Sequence, residues 1–319
     1  MDIWKAAEHL PTAREAAEEK RLAPQMRALK ALHSLASPGE QVTPEELEKQ
    51  RRNQEILGRL MAPAAGMDWD EFFLSGMEAA WTRLKSPHGK RHAILYCHGG
   101  GYTSGNLGYS RVLAAKMTRA TGYDTLSFEY RLAPEFPYPA AIEDGLRAWD
   151  HLMLQGYGAG DIVIAGDSAG GNLALVLCHR LRAAGRQLPG ALFLMSPWTD
   201  MTLSGASYRE RAGADPMLTP GYISAVREIY APDGDYTSPF LSPLFGDFSG
   251  FPPTLIQVGD HEILYSDAES LEKTLRVQDV PCALEVARNM WHVYQMFPMK
   301  KAGEAMERFS RFLLEHASL

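Results

Sequence analysis

Two kinds of apolar pattern alternate along most of this chain. His92–Cys97, Tyr123–Tyr130, Ile162–Gly166, Ala191–Met195, Pro253–Val258 and Cys282–Val286 are short apolar runs. Runs of this length bounded by polar or glycine-rich sequence predict buried strands. Between them, Ser110–Thr121, Ala140–Met153, the stretch after Gly170 to about Ala184, and Ser266–Val277 carry helical patterns, and Gly303–Glu315 closes the chain as a helix. An earlier segment reads differently. Trp69, Phe72, Phe73 and Leu74, then Ser75-Gly76, then Ala79 to Leu84, predict a two-stranded hairpin around a glycine turn. A hairpin followed by alternating strands and helices implies an α/β fold with a mostly parallel sheet covered by helices on both faces. Right-handed crossovers then bring the strand C-termini to one edge, where sites are built.

Two segments depart from this rhythm. Residues 1–60 are rich in Ala, Glu, Lys, Arg and Leu, with Met26, Leu29, Leu32 and Leu35 at helical spacing between Pro24 and Pro38-Gly39. Thr43-Pro44-Glu45-Glu46 then supplies an N-cap, a first-turn proline and acids beside the helix dipole, so a second helix is expected to about Leu60. The second interruption is residues 201–247. It is irregular from Met201 to Asp215, helical from Pro220 to Tyr230 and turn-rich from Asp233 to Pro243. An insertion leaving a strand's C-terminal end lies over the active edge. The expected organisation is therefore an N-terminal helical cap segment at 1–60 and a catalytic domain at 61–319, with about 201–247 inserted as part of the cap.

Composition narrows the class. A chain of 319 residues that is 45% hydrophobic and 22% charged has the length for one large α/β domain with an accessory piece, or two domains. The net charge of -7, with no basic cluster, argues against nucleic acid as a partner. The N-terminus has no apolar signal core, and no apolar run reaches the roughly 18 residues that span a bilayer. Cys97, Cys178 and Cys282 are odd in number and widely spaced in apolar surroundings, the pattern of buried free thiols in a reducing compartment. These features together give a cytoplasmic expectation, with no membrane partner and no metal site.

The chemistry concentrates at two strand ends. Ile162–Gly166 runs directly into Asp167-Ser168-Ala169-Gly170-Gly171 and a small-residue helix, which is the strand, G-x-S-x-G, helix context of a nucleophile elbow. The turn is so tight that only hydrogen fits two residues before and after the serine. The alternative is an ordinary strand-to-helix turn with a serine N-cap. Upstream, His98-Gly99-Gly100-Gly101 follows another buried strand. Three consecutive glycines are costly in entropy unless backbone N–H groups must approach a ligand closely. Gly100 and Gly101, with the Ala169 N–H, are the candidate oxyanion donors, and His98, Gly99 and Asp167 the candidate supports. No Gly-Lys-Ser/Thr follows, which disfavours a phosphate cradle. Among ten histidines, His292 lies between the last strand and the last helix, so it falls at the active edge in the chain order Ser, acid, His.

His98-Gly99-Gly100-Gly101 followed by Gly166-Asp167-Ser168-Ala169-Gly170-Gly171-Asn172 resembles the hormone-sensitive-lipase-like family of α/β-hydrolase carboxylesterases. Tyr130-Arg131-Leu132-Ala133-Pro134-Glu135, Ser196-Pro197-Trp198-Thr199-Asp200 and Pro252–Gly259 extend the likeness from about residue 70 to the C-terminus. The resemblance implies an α/β-hydrolase fold with a helical cap, Ser168 as nucleophile, His292 as base and no cofactor. In the family the third member is commonly Asp followed by Pro-Leu. Here the register that keeps Leu264 in place puts Glu262 at that position, and Asp260 is the alternative two residues away.

The expected activity is hydrolysis of short- to medium-chain acyl esters, acetyl esters among them, of small molecules. Lactone hydrolysis, acyl transfer to another acceptor and amide hydrolysis share the same first step. The gibberellin receptors resemble the family but lack the histidine, so a non-catalytic receptor is the reading from another class. A homodimer is compatible with either. Tyr130-Arg131 and Glu143-Asp144 are expected to pair as scaffolding. Met290, Trp291, Met296, Phe297 and Met299 form an apolar cluster near His292, for a pocket wall or for core.

Overall fold

A strand that is apolar at every position is stable only where both faces of its sheet are covered, and the central strands meet that condition. The computed structural model describes residue 24 and residues 42–61, 66–86 and 92–316. The helical pattern at Met26–Leu35 lies outside the described residues. Eight strands form one sheet: β1 (Met67–Leu74), β2 (Met77–Leu84), β3 (Ala93–Cys97), β4 (Asp124–Phe128), β5 (Ile162–Asp167), β6 (Ala191–Met195), β7 (Thr254–Gly259) and β8 (Cys282–Ala287). Their order is β1-β2-β4-β3-β5-β6-β7-β8. The β1–β2 hairpin and the β2–β4 pair are antiparallel, and every other pair is parallel.

The helices are α1 (Pro44–Met61), α2 (Leu107–Thr121), α3 (Ala140–Leu154), α4 (Ala169–Ala183), α5 (Ser207–Glu210), α6 (Pro220–Tyr230), α7 (Tyr265–Val277) and α8 (Lys300–His316). Alternate side chains of the inner strands divide the core in two. Ile94, Tyr96, Val163, Ala165, Phe193 and Met195 pack with α2 and α8 on one face. Phe193 and Phe309 stack there with ring centroids 4.0 Å apart, a pairing that contributes about 1 kcal/mol beyond burial. Leu95, Cys97, Ile164, Leu192, Leu194 and Ile256 pack with α3, α4 and α7 on the other.

The expected elements recur with small shifts at their ends. In α1, Glu46 N–H donates to Thr43 Oγ1 at 3.3 Å and Thr43 N–H to Glu46 Oε2 at 3.0 Å, a reciprocal capping box. The second of the chain's two N-terminal helical patterns therefore starts where the Thr-Pro-Glu-Glu signal places it. Helix α2 begins at Leu107, earlier than Ser110, because the Asn106 side chain accepts the Tyr109 N–H at 2.9 Å and caps it. Within the stretch expected to be irregular, Ser207–Glu210 forms the single turn α5. The cysteine expectation needs one correction. All three are free thiols and Cys97 and Cys178 are buried, but Cys282 is half-buried, because β8 is an edge strand.

The sheet order also locates the site. From β3 the chain moves outward to β4 on one side, then crosses back to β5 on the other and continues to β8. The C-terminal ends of β3 and β5 therefore flank the point where the winding reverses, the crevice in which such sheets bind ligands. Pairing of Cys97 with Gly166, Asp167 with Met195, Met195 with Gln257 and Gly259 with Ala287 brings five strand ends close to level there. Among the described residues no helix is long and apolar enough to cross a membrane.

Candidate active site

Ser168 stands between β5 and α4 with φ 54° and ψ -121°. A positive φ on a residue with a side chain costs of order 1–3 kcal/mol and must be imposed by its surroundings. The imposition is visible in hydrogen bonds. Ser168 N–H donates to Met195 O at 2.9 Å, and Ser168 O accepts from Trp198 N–H at 3.1 Å and Gly171 N–H at 3.0 Å. It is visible in sterics too. A Cβ on Gly166 would lie 2.2 Å from Gly170 O, and one on Gly170 would lie 2.0 Å from Cys97 O. Those are backbone atoms that cannot yield, so the glycines allow β3, β5 and α4 to close on one another. The serine is 8% exposed, at the N-terminus of α4. There the first-turn N–H groups lack partners within the helix and the dipole favours negative charge.

The glycine loop after β3 reaches the same place. Gly100 and Gly101 have φ of 114° and 63°, the left-handed region that glycine enters freely. Gly100 O accepts from Thr103 N–H at 3.1 Å and Ser104 N–H at 3.0 Å, folding the loop into a turn. Asp167, fully buried, ties loop and elbow together. Its Oδ1 accepts the Gly99 N–H at 2.9 Å and the Tyr96 hydroxyl at 2.6 Å, and its Oδ2 accepts the Tyr109 hydroxyl at 2.6 Å. Burial raises the Asp167 carboxyl, against the opposing pull of these hydrogen bonds.

His98 braces the loop through one ring nitrogen, not both. Nδ1 lies 2.8 Å from Gly99 O, while Nε2 is buried with no partner. Its ring stacks on Tyr130 at 4.1 Å, and the Tyr130 hydroxyl donates to His98 O at 2.7 Å. Burial holds the imidazole down at about 4, so it stays neutral at physiological pH. Beneath it Arg131 pairs with Asp144 at 2.9 Å and Glu143 at 2.8 Å, the scaffold pairing expected of those residues.

His292 follows β8, and its Nδ1 lies 2.9 Å from Glu262 Oε2. An ionised carboxylate only accepts, so Nδ1 carries the proton and Nε2 is left as an acceptor. Glu262 is fully buried, and its Oε1 accepts the Ser196 hydroxyl at 2.9 Å and the Gly259 N–H at 2.5 Å. Asp260 turns elsewhere. Its carboxylate has His261 Nε2 as a neighbour at 3.9 Å, and no contact joins it to His292. Burial works to lower the His292 pKa, but the Glu262 hydrogen bond and the charges of Glu262, Asp215 and Asp167 outweigh it and raise the pKa above its ordinary 6.5.

Ser168, His292, Gly100 and Gly101 line one cavity of about 120 Å³. Its apolar walls include Trp198, Met217, Leu218, Ile223, Met296 and Phe297, and α1 contributes Gln50 and Gln54. Met296 and Phe297 thus face the cavity, whereas Met290 and Trp291 belong to the core behind it. Among the described residues no cluster of His, Cys, Asp or Glu could hold a metal ion.

Several site residues had no assigned role in the sequence reading. Ser196 has φ 48° and joins Glu262 to the His292 loop, since Val293 N–H donates to its Oγ at 3.0 Å. Asn172 accepts from the Tyr102 hydroxyl at 2.7 Å and donates to Trp198 O and Leu241 O, both at 2.8 Å. Lys116 donates to Gln295 O at 2.6 Å and Phe297 O at 2.8 Å, holding the pocket-wall loop from behind. Each is a polar residue among apolar neighbours, a signal that marks a buried network without naming its members.

A family model described as alpha/beta hydrolase fold matches residues 94–296. An acetyl-hydrolase of Streptomyces hygroscopicus is 36% identical over 264 residues, which is 82% of this chain and 86% of that protein. An esterase of Acinetobacter venetianus is 36% identical over 67% of this chain and 71% of its own length. The crystal structure of EstE5 soaked with p-nitrophenyl butyrate superposes with a TM-score of 0.85 at 33% identity, covering 93% of this chain and 99% of that one. An esterase from the bacterial hormone-sensitive lipase family superposes equally well, at 31% identity over 92% and 99% of the two chains. With the family model spanning more than half of its length and a hormone-sensitive-lipase-family esterase superposing over 92% of it, the chain belongs to the hormone-sensitive-lipase-like family within the alpha/beta hydrolase fold.

Proposed function

We propose that this protein is a serine carboxylester hydrolase for small esters with short acyl groups, working through Ser168, His292 and Glu262. The observation that carries the reading is one cavity shared by Ser168, His292 and the Gly100–Gly101 turn, with His292 Nδ1 fastened to a buried carboxylate. In the first step His292 Nε2 takes the Ser168 hydroxyl proton as Oγ attacks the ester carbonyl. Charge developing on the carbonyl oxygen is held by the N–H groups of Gly100, Gly101 and Ala169, each worth about 3 kcal/mol in the transition state. The imidazolium, stabilised by Glu262, protonates the leaving alcohol. Water then repeats the sequence on the acyl-enzyme and releases the acid, returning Ser168 to its starting state.

The cap belongs to the same proposal. Helix α1 and the segment at about 201–247 supply Gln50, Gln54, Met217, Leu218 and Ile223 to the cavity wall, as a substrate-covering cap would. A cavity of about 120 Å³ falls well below the roughly 300–1,000 Å³ of drug-sized ligand sites and favours small acyl groups. The name of the acetyl-hydrolase relative agrees with that size.

Two measurements test the reading. A fluorophosphonate should label Ser168, and kcat/KM on p-nitrophenyl acetate or butyrate should exceed that on the decanoate by roughly tenfold or more, since overfilling a packed pocket costs about 1–3 kcal/mol. An unlabelled Ser168 sinks the hydrolase, and a preference for long chains sinks the short-acyl assignment. The pH dependence has a definite sign as well. The base must be neutral, and its pKa is raised, so kcat/KM should fall as pH drops through a value above 6.5. An acid limb centred below that value would show that a different group controls the step.

A further inference from the structure

Asp215 is a buried carboxylate in the inserted segment, 7% exposed, whose two oxygens face different parts of the site. Oδ1 accepts the N–H groups of Met217 at 2.8 Å and Leu218 at 3.0 Å, and both of those side chains line the cavity. Oδ2 accepts the Ile263 N–H at 2.9 Å, across 48 positions of sequence. Ile263 is the residue next to Glu262, whose carboxylate holds His292. One side chain thus spans from the pocket wall to the turn that carries the acid. We propose that Asp215 is a positioning residue for ester hydrolysis, setting the pocket wall through Met217 and Leu218 and acting on His292 by its charge and its hold on the Glu262 turn.

The inference rests on the hydrolase reading above. The charged groups acting on His292 come from three elements: Glu262 after β7, Asp167 at the end of β5, and Asp215 in the insertion. Arg211, one turn before Asp215, donates to Asp260 O and stacks over Tyr265 at 3.7 Å. Burial raises the Asp215 carboxyl to about 6, opposed by the His292 charge and by its hydrogen bonds. A removed carboxylate should leave the imidazole easier to deprotonate. An amide at this position also turns an NH₂ toward either Ile263 N–H or the Met217 and Leu218 N–H groups, so at least one backbone donor loses its acceptor.

The test compares the wild type, Asp215→Asn and Asp215→Glu in two readouts, the pH profile of kcat/KM and the ratio of p-nitrophenyl acetate to hexanoate turnover. Asp215→Asn should move the acid limb to lower pH by about half a unit or more and change the ester ratio about threefold or more. Asp215→Glu keeps the charge but not the reach, so its limb should stay near that of the wild type while the ratio changes. A residue that only braces the fold would leave the limb in place and lower the turnover of both esters by one factor, and that result overturns the proposal. If Asp215→Asn does not fold, Asp215→Glu decides: a wild-type limb with an altered ratio supports the role, and a shifted limb or an unaltered ratio overturns it. Fluorophosphonate labelling of the wild type keeps the two readings apart. An unlabelled wild type defeats the hydrolase itself, whereas a labelled wild type with an unmoved Asp215→Asn limb defeats only this inference.

Discussion

Ser168→Ala is expected to lower kcat by about 10⁶-fold and to abolish fluorophosphonate labelling, the largest effect any single substitution should have here. The physical ground is the geometry of the elbow. The Ser168 backbone is held by Met195 O, Trp198 N–H and Gly171 N–H, contacts that do not involve its side chain. Alanine keeps them and removes only the oxygen, so KM should change little and the thermal midpoint by no more than a few degrees. The residual rate, roughly 10³-fold over water, would come from the oxyanion donors and binding alone. A Ser168→Ala protein that retains a tenth of the wild-type rate with an unchanged KM would show that the reaction uses another nucleophile.

The second-largest effect belongs to Glu262. Glu262→Gln should reduce kcat by about 10⁴-fold, while Asp260→Asn stays within about threefold of the wild type. The difference follows from how the carboxylate is held. Oε1 of Glu262 already accepts from the Ser196 hydroxyl and the Gly259 N–H. In a glutamine those two donors retain the amide oxygen and turn the NH₂ toward His292 Nδ1. The imidazole must then move its proton to Nε2, the nitrogen that has to accept from Ser168. The catalytic loss is therefore one of tautomer and charge, with packing preserved. Asp260 has only a distant His261 and a partly exposed position, so neutralising it disturbs no such pair. Kinetics of both variants on p-nitrophenyl acetate check this, and a larger loss in Asp260→Asn than in Glu262→Gln would transfer the role to Asp260.

The two assignments were legible in the sequence to different degrees. The elbow and the glycine loop are local devices, whose function depends on residues adjacent in the chain. Tight turns demand glycine at fixed offsets from the serine, and the clashes that a Cβ would make at Gly166 and Gly170 show how strict that demand is. His292 was found by topology, because a loop after a parallel strand falls on the same edge as the other strand ends. Glu262 and Asp260 could not be separated that way. They are two residues apart on one turn, and the choice depends on which side chain points at a histidine 30 positions away.

Asp215 and Ser196 were harder still. An aspartate in a polar, irregular stretch has the composition of a surface loop, and a serine at a strand end is common. Their meaning arises only when the chain folds and buries them against Ile263 and Glu262. Once buried, a carboxylate or hydroxyl must find partners, and the donors within reach there are those of the active edge.

The sequence by itself determined the parallel sheet, the nucleophile turn, the glycine loop and the chain order of the histidine, since each follows from sterics and periodicity over a few neighbouring residues. Only the tertiary structure decided which acid meets His292, which polar side chains knit the strand ends together, and how small a cavity lies beside Ser168. Those depend on distances between segments tens of residues apart, and a side chain's charge, proton and partners are set by what lies beside it in space.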